Sequence, residues 1–379
     1  MKILHLSDLH LGKKVNEFSM LDDQQYILNQ ILNIVESENP NCVIIAGDIY
    51  DKSVPPAEAI QVFDSFLFNL SERKLSVFVI SGNHDTAERI SFGGRLMTSR
   101  NVYIAPVFCG KINPVTLYDE YGDINFYMIP FVKPFHVRKI FPDEAIASYT
   151  DAMKTVIKNM NINTERRNIL ITHQFITGAS FGNSEEFSVG GTDNIDADIF
   201  DDFDYVALGH IHRSQNIGSK RIRYCGSQLK YYIEEASQQK SVTITEIGLK
   251  GALDIKEIPL VPKRDMKVYK GKYKELTDID FYSNINTDDY IFITLTDEED
   301  IPDANRKLHK IYPYMMKLSY DNSRTKNHSV IKSDIRNEKL PPVQIFSEFY
   351  ESQCNHKMSS EQYEFVESLI REVWEEEIL

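Results

Sequence analysis

Short apolar runs that stop abruptly in Asp, Asn or His recur along the chain as far as residue 212. Ile3 to Ser7 runs into Asp8-Leu9-His10, and Val43 to Ala46 into Gly47-Asp48-Ile49-Tyr50-Asp51. Val77 to Ser81 leads to Gly82-Asn83-His84-Asp85, Asn168 to Ile171 to Thr172-His173, and Asp204 to Leu208 to Gly209-His210-Ile211-His212. Runs of this length, rich in β-branched residues, read as buried strands, and a polar turn at their end places its side chains at the exposed carboxyl edge of a sheet. Between the first of these strands the period changes to that of a helix. Leu21 to Glu38 carries Ile27, Leu28, Ile31, Ile34 and Val35 on one face before Pro40, and a helix from about Ala57 presents Ile60, Phe63, Phe66, Leu67 and Leu70. With strand 75–81 this makes a β-α-β-α-β series, which predicts a largely parallel sheet covered by helices.

Beyond Gly93-Gly94 the alternation loosens. Strands are predicted at 102–105, 125–129, 221–225 and 241–247, with a helix inside 142–160 and a Gly- and Ser-rich loop over 177–194. The pattern shifts again near Pro259 to Pro262. Strand-like pieces at 267–272, 290–295 and 315–320 surround one helix near 303–312, the right size for a small α+β domain, and the polar stretch ending in Pro341-Pro342 reads as a linker. Two helices close the chain, with Ile345, Phe346, Phe349 and Tyr350 on one and Tyr363, Val366, Leu369, Ile370 and Val373 on the other; Ser359 and Gln362 form a capping box. The expected division is 1–262, 263–325, a linker over 326–342 and a helical segment 343–379. A chain of 379 residues exceeds what one core usually serves, which agrees with more than one domain.

Composition narrows the chemistry. A net charge of -14 argues against holding nucleic acid by bulk charge, although a local metal site reverses the sign where it sits. Cys42, Cys109, Cys225 and Cys354 stand singly, without finger or redox spacing, as in a reduced intracellular protein. With no apolar signal region and no run near the ~20 apolar residues of a membrane span, a soluble cytoplasmic protein is expected. No Gly-x-x-x-x-Gly-Lys-Ser/Thr stretch occurs, so any ATP dependence has to come from another chain.

Asp8, His10, Asp48, Asn83, His173, His210 and His212 are oxygen and imidazole donors with no thiolate among them, a set suited to Mn, Fe or Zn. One Asp-x-His is as well explained by a strand-end turn; five such clusters in one chain are not. Seven donors are too many for one ion and about right for two that share a carboxylate, for which Asp48 is central. Two ions ~3.5–4 Å apart polarise a phosphoryl group and hold a bridging hydroxide. His5 lies inside its strand and reads as a core histidine, while His136, His309, His328 and His356 stand alone.

The order of these motifs resembles the calcineurin-like metallophosphoesterases. Within them the chain is similar to the SbcD group, nuclease subunits of bacterial SbcC-SbcD repair complexes, through Met1 to Gly12, Gly190-Gly191-Thr192-Asp193 and Gly226-Ser227-x-x-Lys230-Tyr231. The resemblance implies a four-layer α/β/β/α sandwich with a small α+β capping domain and a C-terminal helical tail. It implies two manganese ions, one on Asp8, His10, Asp48 and His212, the other on Asp48, Asn83, His173 and His210. His84 would not ligate but would assist the leaving oxygen, and Asp51 and Asp85 would fix a histidine tautomer or a turn. The implied activity is hydrolysis of DNA by in-line attack of a metal-bound hydroxide, exonucleolytic at duplex ends and endonucleolytic in single strands and hairpins. The implied partners are DNA, a coiled-coil SbcC-like ATPase docked on the tail, and a second copy of the nuclease domain. Residues 361–379 agree in part, because seven Glu against one Arg cannot make a DNA-binding helix while the apolar stripe needs a cover. Two alternatives stay open: a phosphodiesterase or phosphatase of another substrate class, and an interaction scaffold with a structural metal.

Overall fold

The computed structural model describes residues 1–180, 194–299, 301–323, 342–354 and 357–376, in two units, Met1–Lys267 and Val268–Leu379. Most of the 177–194 loop, including the Gly190 to Asp193 stretch, and nearly all of the expected linker fall outside the described residues.

In the first unit the buried runs pair into two six-stranded sheets. One has the order Leu253–Pro259, Ser241–Ile247, Lys2–Leu6, Cys42–Ala46, Ser76–Ile80, Val102–Ile104, with the last four strands parallel. The other runs Gln215–Ile217, Ser219–Tyr224, Tyr205–Gly209, Arg167–His173, Gly122–Ile129, Val115–Asp119, again parallel in its middle. Period-two alternation gives each sheet two apolar faces. Ile44, Ala46, Phe78 and Ile80 of the first meet Phe126, Ile169, Ile171 and Ala207 of the second, and Phe78 stacks on Phe126 with ring centroids 4.2 Å apart. The outer face of the second sheet, with Tyr127, Ile129, Leu170 and Val206, is closed by Val137 of helix Pro134–Ile140 and Ala152, Met153 and Val156 of helix Tyr149–Lys158. Helices Leu21–Glu38 and Ala57–Glu72 are the crossovers of the first sheet, and their apolar stripes are buried. The layers are therefore helix, sheet, sheet, helix.

Two departures from the sequence pattern have local causes. Ile60 is 45% exposed, and Ala59, fully buried, takes its place in the stripe because the helix starts against Gly12, where a larger side chain would not fit. The strands Val115–Asp119 and Leu253–Pro259 were not predicted. Both are sheet edges whose alternation is short: only Val115 and Leu117 of one and Leu253 and Ile255 of the other pack on the core, each half-buried among polar neighbours.

The second unit holds a three-stranded sheet in the order Met266–Gly271, Tyr290–Leu295, Met315–Tyr320, the last two parallel, packed on helix Ala304–His309 through Ile291, Ile293, Leu308 and Tyr312. Helices Pro342–Cys354 and Ser360–Glu376 follow, and Ser359 and Gln362 exchange capping bonds of 2.9 and 3.2 Å. No described helix is long and apolar enough to cross a membrane.

Arg167 ties the two sheets together. Buried at the start of its strand, it forks onto Asp119 at 2.5 and 3.0 Å and also donates to the carbonyls of Gly122 and Gly248. The Arg167 hydrogen bonds hold the Asp119 carboxyl well below the usual carboxylate range. A depressed folded pKa contributes stability that is present above the unfolded value, ~3.9, and is lost as pH falls through the folded one. Asp119→Asn is expected to lower the melting temperature by several degrees at pH 7, with the gap to the wild type closing below about pH 4. Scanning fluorimetry of both proteins from pH 3 to 8 reads this directly; a pH-independent gap would contradict it.

Candidate metal centre

The carboxyl ends of five strands meet at one edge of the sandwich. Two close approaches make this possible. A Cβ on Gly209 would lie 2.0 Å from the Ala46 carbonyl oxygen, and one on Gly82 would lie 2.1 Å from Asp48 Oδ1, so only glycine lets these turns interleave. The turns are also bent into the left-handed region at non-glycine residues, with φ of 54° at Asp8, 45° at His10, 50° at Asp48 and 104° at His210. Such conformations cost about 1–3 kcal/mol each and persist where surrounding structure imposes them. Gly209→Ala is expected to lower metal affinity and activity at least tenfold, because the new methyl group meets main chain that has no room to retreat. Unchanged calorimetric titration with manganese would contradict this.

All seven donors named from the sequence are brought together. His10 Nε2 and His212 Nε2 face each other at 3.1 Å, and Asn83 Oδ1 lies 3.0 Å from His173 Nε2 and 2.9 Å from His210 Nδ1. Asp48 sits between the two groups, its Oδ2 3.4 Å from His173 Nε2 and 3.7 Å from His10 Nε2. Asp8 Oδ1 is 4.0 Å from His173 Nε2, and the Asp8 carboxylate accepts the His210 N–H. Ligand atoms of Asp8, His10 and His212, of Asp8, Asp48 and His173, and of His10, Asp48 and His84 each lie within 4.8 Å of one another.

The donors fit divalent cations. His173 Nδ1 donates to the Ala46 carbonyl at 2.7 Å and His212 Nδ1 to Glu235 at 2.9 Å, which turns the Nε2 atom of each ring inward. Burial pushes the Asp8 carboxyl up. For Asp48 burial acts the same way, but the histidines around it, His173 foremost, outweigh it and hold the carboxyl below its usual range. Burial alone would lower His173; Asp48 overrides it and lifts the imidazole to about 9. His210, mainly through burial, falls to about 3. Asp8 and Asp48, buried side by side on His173, favour a positive charge between them.

Comparison with known proteins agrees with this chemistry. Residues 1–214 match the family model described as calcineurin-like phosphoesterase, and residues 262–353 match the one described as type 5 capsule protein repressor C-terminal domain. Two curated relatives are both named as the SbcD subunit of the SbcCD nuclease. The Staphylococcus epidermidis protein is 32% identical over 98% of both chains, and the Staphylococcus saprophyticus protein is 31% identical over 99% of both. The chain belongs to the SbcD family of calcineurin-like phosphoesterases. It is a metal-dependent phosphodiesterase, and its two-sheet sandwich is the calcineurin-like fold. Among solved structures, TT1561 of Thermus thermophilus aligns with a TM-score of 0.38 and a dimetal phosphatase from Danio rerio with 0.41. Both are 11% identical and cover 68% and 69% of this chain and 98% of their own.

In the SbcD-family site the remaining polar groups hold the donors. His84 Nδ1 lies 3.0 Å from the Asp51 carbonyl oxygen, its N–H donates to Asp48 Oδ1 at 2.9 Å, and its Nε2 is 3.9 Å from Asp48 Oδ2. The Asp51 carboxylate takes the Lys13 ammonium at 2.7 Å and approaches His10 Nδ1 at 3.8 Å. Asp85 accepts the N–H groups of Ile49, Tyr50 and Gly82, fixing two turns at once; burial, then Asp48, raises its carboxyl to about 6.

Sequence reasoning missed Glu235 and Lys240. Glu235 takes His212 Nδ1 and, at 2.9 Å, the Lys240 ammonium, which with His212 outweighs burial and holds the carboxyl down to about 2. Nothing in Tyr232-Ile233-Glu234-Glu235 separates this glutamate from its neighbour; only the fold does. His5 is a buried core residue, its Nδ1 2.9 Å from the Tyr205 hydroxyl, and His136 and His309 are exposed outside the cluster. His328 and His356 lie outside the described residues.

Proposed function

We propose that this chain is the nuclease subunit of an SbcC-SbcD-type DNA repair complex, acting in the cytoplasm and hydrolysing DNA phosphodiesters at a centre of two divalent ions, manganese in the first instance. The observation that carries the proposal is the convergence of seven oxygen and imidazole donors from five strand ends around Asp48, in a chain that matches two SbcD proteins over nearly its whole length. One ion would be held by Asp8, His10, Asp48 and His212, and the other by Asp48, Asn83, His173 and His210. Bound there, the pair would supply Lewis-acid polarisation of the phosphoryl group and a water of lowered pKa.

The protein's own groups do the rest. Glu235 and the Ala46 carbonyl keep protons on the outer nitrogens of His212 and His173, so both rings present lone pairs inward. The bond to the Asp51 carbonyl orients His84, leaving Nε2 to hand a proton to the departing oxygen. Asp85 fixes the Asp48 and Asn83 turns relative to each other.

Residues 263–325 would cap access to the site, 326–342 would serve as the linker, and 343–379 would bind the coiled-coil ATPase. Support for the last comes from Phe349 at 59%, Phe365 at 64% and Leu369 at 43% exposure on an acidic helical tail that has no use for DNA. A homodimer of the nuclease domain is supported by Phe68, Phe92 and Leu96, which are 60, 85 and 82% exposed. The test is manganese-dependent cleavage of labelled DNA. Duplex ends should be degraded and a hairpin opened, with or without help from an SbcC-type ATPase. Hydrolysis of bis-nitrophenyl phosphate alone, with DNA untouched even when the ATPase is present, would overturn the DNA assignment and leave the metal chemistry standing.

A further inference from the structure

We propose that the stretch Phe131 to Ile140, which leaves the rim of the metal centre, is the track along which an unpaired DNA strand enters the site; this rests on the DNA reading above and adds the part of the surface that holds the substrate. Charge is the first observation. In a chain of net charge -14, these ten residues carry Lys133, Arg138 and Lys139 and no acidic residue. Arg138 is committed to the Ile146 carbonyl at 2.8 Å, which leaves Lys133 and Lys139, both exposed, for phosphates.

The second observation is continuity with the site. The Phe131 N–H donates to the Ser81 carbonyl at 2.9 Å, directly before Gly82-Asn83-His84. Its ring lies nearly parallel to His210, with centroids 6.5 Å apart and 27° between planes, and edge-on to His173 at 6.4 Å. Val132 and Val137 are buried and pin the segment from beneath, so the direction in which it leaves is fixed.

The third observation is a second aromatic face. Phe135 is 65% exposed, with its ring 6.0 Å from that of His136, and the charges acting on His136 are those of Lys133, Lys139 and the single acid Glu88. One exposed Phe is ordinary on a protein surface. An exposed Phe between two exposed lysines, on the segment whose other Phe lies beside His173 and His210, is what a strand of unstacked bases fits: phosphates on the ammonium groups, bases on the rings. A duplex keeps its bases stacked inside and offers these rings nothing, which makes the strand a single one.

The experiment uses the full chain loaded with manganese and compares a labelled single strand with bis-nitrophenyl phosphate. Phe135→Ala is expected to raise KM for the strand about 5- to 100-fold, the loss of one stacked base, and Phe135→Trp to restore it. Lys133→Gln and Lys139→Gln should each flatten the salt dependence of log KM by about 0.7, the share of one phosphate on a single strand. Hydrolysis of the small diester should be unchanged in all of them. Wild-type cleavage of the strand with KM and salt slope unmoved in every variant would overturn the proposal. So would an equal loss on the small diester, which would make the segment structural, or a changed oligomeric state with unchanged KM, which would make it a protein interface. A wild type that never cleaves DNA would instead remove the reading on which the proposal rests.

Discussion

His84→Gln is expected to keep both manganese ions while losing at least about 10²-fold in turnover, the usual share of a positioned general acid. The reason lies in where its two nitrogens go. Nδ1 is engaged by the Asp51 carbonyl at 3.0 Å, and the backbone N–H, which the substitution keeps, is the group that supports Asp48. Ligand spacing alone would admit His84 beside His10 and Asp48, so the variant separates two roles that distance does not. Glutamine fills similar space and can still donate a hydrogen bond, but its amide cannot give up a proton near neutral pH. Metal content by mass spectrometry beside turnover on labelled DNA decides the matter. Loss of an ion together with activity would make His84 a ligand and contradict its assignment as the acid.

Asp48→Ala should have the opposite signature, an emptied centre. Asp48 Oδ2 lies within 3.7 Å of both His10 and His173, on the two sides of the cluster, and its side chain is 3% exposed. On the proposed assignment its removal would take one donor from each ion and the negative charge that offsets them. Metal affinity should fall by more than the ~10–100-fold typical of losing an outer hydrogen-bond partner. Asp48→Asn, which keeps the shape without the charge, should fall between. Calorimetric titration of the three proteins with manganese gives the ranking. An alanine variant that still takes two ions would show that Asp48 does not bridge them.

What was legible in the sequence was the device, and what was not was its support. A β-branched run that breaks into Gly-Asp or Gly-Asn-His announces both the strand and the side chain it delivers, so Asp48, Asn83 and His210 could be named without a fold. The capping pair Ser359 and Gln362 was legible for the same reason, since cause and effect lie three residues apart. Glu235 could not be found, because its partner His212 is 23 positions away and the local pattern around it is that of any polar turn. Lys13 and Asp51, 38 positions apart, meet only because parallel pairing sets the first two strand ends side by side. The helical stripe was off by one position at Ile60, where close approach to Gly12 set the rotation of the helix. The edge strands went unseen because each shows its alternation over only two core-facing positions, Val115 and Leu117 or Leu253 and Ile255, too short a run to stand out from polar surface. The family was legible because its five motifs come from five elements in a fixed order, and two relatives matched over nearly the full length agree with it.

The central claim is that these strand ends form one centre for two ions, and the most direct measurement is electron paramagnetic resonance of the wild-type chain titrated with manganese. The account predicts uptake of two ions per chain and, on filling, the multiline signal of an exchange-coupled pair about 4 Å or less apart. Saturation at a single ion, or two ions that give only the six-line signal of isolated manganese, would contradict it.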